Sequence, residues 1–223
     1  MSVFETFLNW DVFVRVLPLL LSGLWVTFTL GLLAIVLGFA GGLFLALMRL
    51  YAPTPLRQLT VAFIDVFRAI PILVLLVVVY YALPFVGFRL SPFAAAASSL
   101  SLVSAAYSAE IFRAGIQAVA KGQFEAAKAL GLGPFRTMTD IVLPQAIRVV
   151  IPPITSNAIN VMKDTALASV VAMPDLLKQA TQAQALTANP TPLIGAAVIY
   201  LIILLPLVRL VALLEKRMAA GTR

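Results

Sequence analysis

Three sets of ionisable residues interrupt an otherwise oily chain, and each could meet a polar solute. Asp65 and Arg68 stand three apart in "AFIDVFRAIP", Glu110 and Arg113 three apart in "AEIFRAG", and Lys163 adjoins Asp164 in "NVMKDTAL". Residues three apart share a helix face, whereas adjacent ones point in different directions. A carboxylate and a cation on one face match the two charges of a zwitterion, so Asp65 and Arg68 are candidates for a solute path. The same two residues could equally satisfy each other as an ion pair near a membrane interface. Glu110 and Arg113 read better as a local pair anchoring the end of a helix. Lys163 and Asp164 could cap a helix break, hold a subunit interface or touch solute, because ionisable groups at membrane depth are expensive without a role. Asn157, Asn160 and Thr165 add uncharged polar groups to that segment and join the candidate path. Catalysis finds little to work with. Cys and His are both absent, which removes disulfides, thiol chemistry, the usual zinc sites and histidine ligation of haem. No paired-carboxylate site and no phosphate-cradling G-x-x-x-x-G-K-[ST] loop occurs. The reading is of a chain that is not an enzyme and binds no cofactor or metal itself.

The elements that must carry these residues are membrane helices. Of 223 residues, 62% are apolar and 11% charged, with a mean hydropathy of +1.04. Soluble domains carry about a quarter charged residues. Segments 16–48, 69–88, 90–109 and 179–208 contain no Lys, Arg, Asp or Glu, and each reaches the ~20 residues that cross a bilayer as a helix. A fifth, 149–162, continues past Lys163 and Asp164 to Met173. The expectation is an all-α integral membrane protein, one transmembrane domain over 1–223, with spans at about 17–48, 58–83 (ended by Pro84), 91–113, 147–172 and 191–214. Along a helix starting near Gln58, Asp65 and Arg68 stand about 10 to 16 Å in, and Lys163 about 23 Å beyond Arg148. Gly38 and Gly42 form a small-xxx-small pair in the first span, and the Ala/Ser run of the third also suits close helix contact.

The net charge of +7 does not point to nucleic acid, because the basic residues fall between the spans. With the N-terminus outside, eleven basic residues lie inside (Arg49, Arg57, Arg113, Lys121, Lys128, Arg136, Arg148, Arg209, Lys216, Arg217, Arg223). Only Arg15, Arg89 and Lys178 lie outside. That bias sets the N-terminus out and the C-terminus in. No cleavable leader is expected, since Glu5 and Asp11 occupy the place of a basic n-region.

The largest piece between spans is 114–146, on the cytoplasmic side, and its centre "GQFEAAKALGLGPFRTMTDIVLPQ" (122–145) is punctuated for helices. Phe124, Ala127 and Leu130 recur at helical spacing. Gly131 sits where a left-handed cap ends a first helix, and Pro134 suits the first turn of a second, which Pro144 limits. A bent amphipathic pair of this kind either rests on the inner leaflet or fills a groove on a partner.

The stretch "EAAKALGLGPFRTMTDIVLP" resembles, at every fixed position, the EAA motif of ABC importer permeases: Glu125, Ala126, Ala127, Gly131, Ile141, Leu143 and Pro144. The flanks "AEIFRAGIQAVAKGQ", "LPQAIRVVIPP" and "KDTALASVV", and "DVFRAIPILVLLVVVYYALP" in the second span, look like the subfamily that imports polar amino acids. The resemblance runs from the first span to the fifth. It implies a multi-pass protein of the bacterial inner membrane whose loop docks on a separate ATP-hydrolysing subunit, Glu125 meeting the ATPase and Gly131 permitting the turn. ATP would be used by that partner. It further implies a second permease subunit, identical or homologous, and an external substrate-binding protein. Two positions depart from the subfamily: Ala166 replaces a serine in "KDTSL", and Ser156-Asn157 stands where Asn and an acid are frequent. Loss of the acid argues against a cationic amino acid as ligand. The alternative is a self-contained secondary transporter or channel using Asp65, Glu110 or Lys163 as an ion relay, which five spans without an inverted repeat disfavour.

Overall fold

A computed structural model describes residues 7–220, with side chains through Lys216; Arg223 and the Arg217 side chain, both counted in the charge bias, lie outside that range, as do residues 1–6 of the N-terminal segment. The regular structure of the described residues is all helical, joined by short turns and without strands. Helix α1 (Trp10–Tyr51) is followed by α2 (Thr54–Ala69) and α3 (Ile72–Val86), whose later turns pass through π and then 3-10 geometry. Then come α4 (Pro92–Gln117), α5 (Lys121–Ala129), the short α6 (Pro134–Arg136), a π turn (Thr137–Val142) and α7 (Leu143–Asp164). A 3-10 segment (Thr165–Val171), α8 (Leu176–Thr187) and α9 (Thr191–Ala220) complete the chain.

Length and apolarity together single out α1 and Thr191–Lys216 of α9 as able to cross a membrane, and a third if α2 and α3 are one span. Helix α1, at 42 residues, is about 63 Å long, twice a hydrocarbon core of ~30 Å. Helices α4 and α7 are long enough at 26 and 22 residues. Their serines, asparagines and charges keep them below the same apolar standard.

Three expectations are corrected. The second span is not one helix: it is interrupted at Ile70 and Pro71, the latter extended at φ −61°, ψ 130°. Proline lacks the N–H the helix needs and disfavours helical geometry in the residue before it. The fourth span changes character at Asp164, where α7 gives way to the 3-10 segment. Pro144 does not limit the loop's second helix either, because the chain runs on from the π turn into α7. The Leu143 N–H donates to the Met138 carbonyl, five residues back. That wider register passes over the proline's missing donor, and the Gln145 side-chain amide donates to the Ile141 carbonyl at 2.9 Å. A helix absent from the sequence plan, α8, begins at Asp175, whose carboxylate accepts the Lys178 N–H at 3.0 Å.

The chain divides into two compact units. One takes the chain up to Val36, Ile70–Ser101 and Ile159–Val208. Its core joins Leu30, Ala34, Leu76, Ala96, Leu100, Ala168 and Val171, and a second cluster sets Val16 and Leu20 against Leu176, Ala180, Ala183 and Ala196. Leu176, Ala180 and Ala183 recur every third or fourth residue, which gives α8 one buried face. Its first N–H, on Leu176, donates to Thr27 Oγ1 at 3.0 Å.

The other unit takes Leu37–Ala69, Leu102–Ala158 and the chain from Arg209 onward. Here Gly38 and Gly42 face Ser104, Ala105, Ser108 and Ala109 of α4, as the small-xxx-small spacing leads one to expect. A Cβ on Gly42 would come within 2.9 Å of the Ala105 carbonyl oxygen and 3.0 Å of the Ala109 nitrogen. Both are backbone atoms that cannot step aside.

Candidate functional site

The loop between α4 and α7 is built as its punctuation requires. Helix α5 ends with Gly131 at φ +73°. The Gly131 N–H donates to the Lys128 carbonyl and the Leu132 N–H to the Ala127 carbonyl, each at 3.0 Å, the paired bonds of a Schellman cap. Gly133 is extended, Pro134 opens α6, and the Thr137 N–H returns to the Gly133 carbonyl at 3.0 Å. The amphipathic face divides, however. Ala127 is fully buried, and a small cluster of Val119, Val142 and Ala146 forms nearby. Leu130 (77% exposed) and Phe135 (79%) stand in the open on either side of the glycine corner. Glu125, Ala126, Gly131 and Pro144 are exposed as well, Leu143 is 41% exposed and Ile141 half-buried. An acid of the motif, Glu125, and two large apolar side chains set between its fixed positions, Leu130 and Phe135, are thus all exposed.

At the end of α4, Glu110 binds two guanidiniums. Arg113 donates to Glu110 Oε2 through Nη2 at 2.7 Å and Nε at 3.2 Å, and Arg49 of α1 bridges Oε1. Arg113 also reaches Gln117. The local pair expected from the sequence therefore exists, and it is half of a larger network tying α1 to α4. Sequence spacing gives no sign of Arg49, because 61 residues separate it from Glu110.

Asp65 and Arg68 do not pair. Glu110 is the only acid in an ion pair among the described residues. Arg68 instead lies over the Tyr107 ring, 5.5 Å from its centroid, and the Tyr107 hydroxyl donates to the Arg68 carbonyl at 3.4 Å. Asp65 is exposed and enters no ion pair among the described residues. In the same unit Asn157 is half-buried, its Nδ2 donating to Ser108 Oγ at 3.0 Å.

The other unit holds the remaining path candidates. Asn160 and Lys163 are exposed and Asp164 half-buried on the last turns of α7. Lys163 and Asp164 stand three and four residues beyond Asn160, so both neighbour it on the helix surface. The Asp164 side chain makes no cap to the 3-10 segment it precedes. Thr165 is fully buried and donates to the Met162 carbonyl at 2.7 Å.

Comparison with known proteins places this arrangement. The profile of the family described as binding-protein-dependent transport system inner membrane component matches residues 38–220. A putative glutamine transport system permease protein of Rickettsia bellii is 37% identical over 201 residues, covering 89% of this chain and 92% of that one. The arginine transport system permease protein of Bacillus subtilis is 36% identical over 207 residues, covering 92% and 94%. Among solved structures, an amino acid ABC transporter crystallised with histidines matches with a TM-score of 0.88 at 37% identity, over 97% of this chain and all of that one. A chain of the MetNI methionine transporter shares the fold at a TM-score of 0.68 and 23% identity, over the whole of both chains. The chain belongs to the family of inner-membrane permease components of binding-protein-dependent transport systems.

Proposed function

We propose that this chain is the membrane-spanning permease subunit of an ATP-driven importer, and that it carries a polar amino acid or close derivative into the cytoplasm. The observation that carries the reading is the loop: seven EAA positions on a glycine-cornered helix pair that presents Glu125, Leu130 and Phe135 outward. Large apolar side chains flanked by a carboxylate suit a groove on a soluble partner better than water. That partner is the ATPase, and it alone binds ATP. A second permease subunit, a copy of this chain or a homologue, and an external substrate-binding protein complete the assembly in the bacterial inner membrane. This chain itself catalyses no reaction. The interrupted α2 and α3 form one span, and α4 and α7 cross as the two remaining, more polar helices. That makes five spans, with the N-terminus outside by the distribution of basic residues.

Within this reading Asp65, Arg68, Asn157, Asn160, Lys163, Asp164 and Thr165 are the candidates for contact with solute, Asp65 and Arg68 offering charges of both signs that enter no ion pair among the described residues. Relatives named for glutamine and for arginine are about equally similar, so similarity does not select the ligand. Ser156-Asn157 supports a neutral or acidic amino acid, since an amide held by Ser108 supplies no counter-charge to a cationic side chain.

Copurification tests the coupling. The cognate ATPase should form a stable complex with this chain, and its hydrolysis should rise with loaded binding protein. Glu125→Ala should reduce that stimulation about tenfold, the worth of one charge-assisted contact, and leave the helices folded. Full stimulation in the variant would remove the loop from the coupling role.

A further inference from the structure

Two cavities of the same unit share a wall at Tyr51 and Met138. The first, of about 490 Å³, lies among α1, α4 and α7, with Leu43, Leu47, Phe112, Ile116 and Ile147 in its lining. Apart from the Tyr51 phenol, its walls are hydrocarbon and one thioether. Leu43, Leu47, Tyr51, Leu143 and Ile147 are all substantially exposed, so the slot opens to the surroundings. The second cavity, of about 500 Å³, lies under the α5–α6 corner, walled by Phe124, Lys128, Leu132, Pro134 and Thr137. Lys128 enters no ion pair among the described residues. Tyr51 is the last residue of α1, where a long apolar helix ends.

An oily slot adjoining a chamber lined by a phenol and by a cation that enters no ion pair among the described residues has the polarity of an amphiphile with an anionic head. We propose that an anionic phospholipid of the inner leaflet lies across the rim the two cavities share at Tyr51 and Met138, one acyl chain in the apolar slot and the phosphate at Lys128 and Tyr51. The leaflet assignment rests on the orientation proposed above. Charge complementarity selects this occupant, because anionic headgroups concentrate juxtamembrane lysines and zwitterionic ones do not. A free phosphate would leave the slot empty. A side chain of the docked ATPase would reach the loop cavity alone and, like a free phosphate, leave the slot among α1, α4 and α7 empty.

The test uses the complex of this chain with its ATPase in phosphatidylcholine nanodiscs. These contain a minor fraction of phosphatidylglycerol bearing a diazirine on its acyl chain. Illumination should label the peptides holding residues 43–51 and 143–150 about fivefold more than the matching phosphatidylcholine probe, the worth of one cation near an anionic surface. Lys128→Gln should lower labelling to the phosphatidylcholine level. Ile147→Trp, which fills the slot, should abolish it, with Leu47→Phe as a second filling variant from another helix. Equal labelling by both lipids, or an unaffected Lys128→Gln, would overturn the proposal. So would competition by inorganic phosphate, or label on the lone chain that vanishes when the ATPase binds. ATP-driven uptake is read on the same preparation after transfer to liposomes of the same lipids. Absent selectivity with intact uptake defeats the lipid site alone, whereas absent uptake with selective labelling defeats the transport reading alone.

Discussion

Gly131 holds φ +73° with open space where a Cβ would stand, so backbone strain alone opposes a side chain there. Gly131→Ala should therefore cost the loop about 1–2 kcal/mol and loosen the Schellman corner. Stimulation of the ATPase should fall while the melting temperature of the chain moves little; unchanged stimulation would show that the corner does not set the coupling geometry. This cap is legible in the sequence because a helical run, a glycine and a proline follow one another within a short stretch. Pairings across the chain are not. Arg49 with Glu110 and Asn157 with Ser108 join residues 61 and 49 positions apart, and neither segment marks its partner. Asp175, between the proposed fourth and fifth spans, makes a separate prediction. Burial raises its carboxyl from 3.8 to about 6, only partly offset by the N–H groups of α8. The folded state binds that proton more tightly than the unfolded state, so acidification from about pH 6 to pH 3.8 favours folding, and ionisation above pH 6 opposes it. Asp175→Asn keeps an accepting oxygen for the Lys178 N–H and removes the charge. It should raise the melting temperature by a few degrees at about pH 7.5, and the gain should vanish near pH 4. A loss at the higher pH would mean that the carboxylate is needed in its ionised form.

At the scale of elements, close approach of α1 and α4 depends on glycine. Gly42→Val would drive its side chain into the Ala105 and Ala109 backbone, an overpacking worth about 1–3 kcal/mol. Gly122 has open space for 4 Å around the place a Cβ would take, and it is the control. Gly122→Ala should leave thermal stability in detergent unchanged while Gly42→Val lowers it. Equal effects would contradict the packing. The spacing of Gly38 and Gly42 announces this contact, because small residues four apart share a helix face. Interruptions of helices are harder to read. Pro71 splits an expected span, whereas Pro144 is absorbed by a π turn; a proline marks a missing N–H in either case, and only the neighbouring register decides whether the helix stops. Helix α8 has its own start signal, Pro174-Asp175 before a run of good helix formers. Its position between two longer apolar runs masks that signal, because a segment there reads equally well as a connector.

Across the whole molecule, charge and apolarity outline a membrane protein, and the family match makes it a permease component of a binding-protein-dependent system. Composition alone leaves the loop open between a resting place on the leaflet and a docking element, and the proposed function takes it as the latter. Asp65, Arg68 and Lys163 enter no ion pair among the described residues, and under the proposed function such open charges would suit a path completed by solute and a second permease. The most direct test is uptake of radiolabelled glutamine into proteoliposomes holding this chain with its permease partner, ATPase and binding protein. Accumulation should require ATP and every subunit, with arginine taken up far less. Equal uptake by the lone chain without ATP would contradict the account.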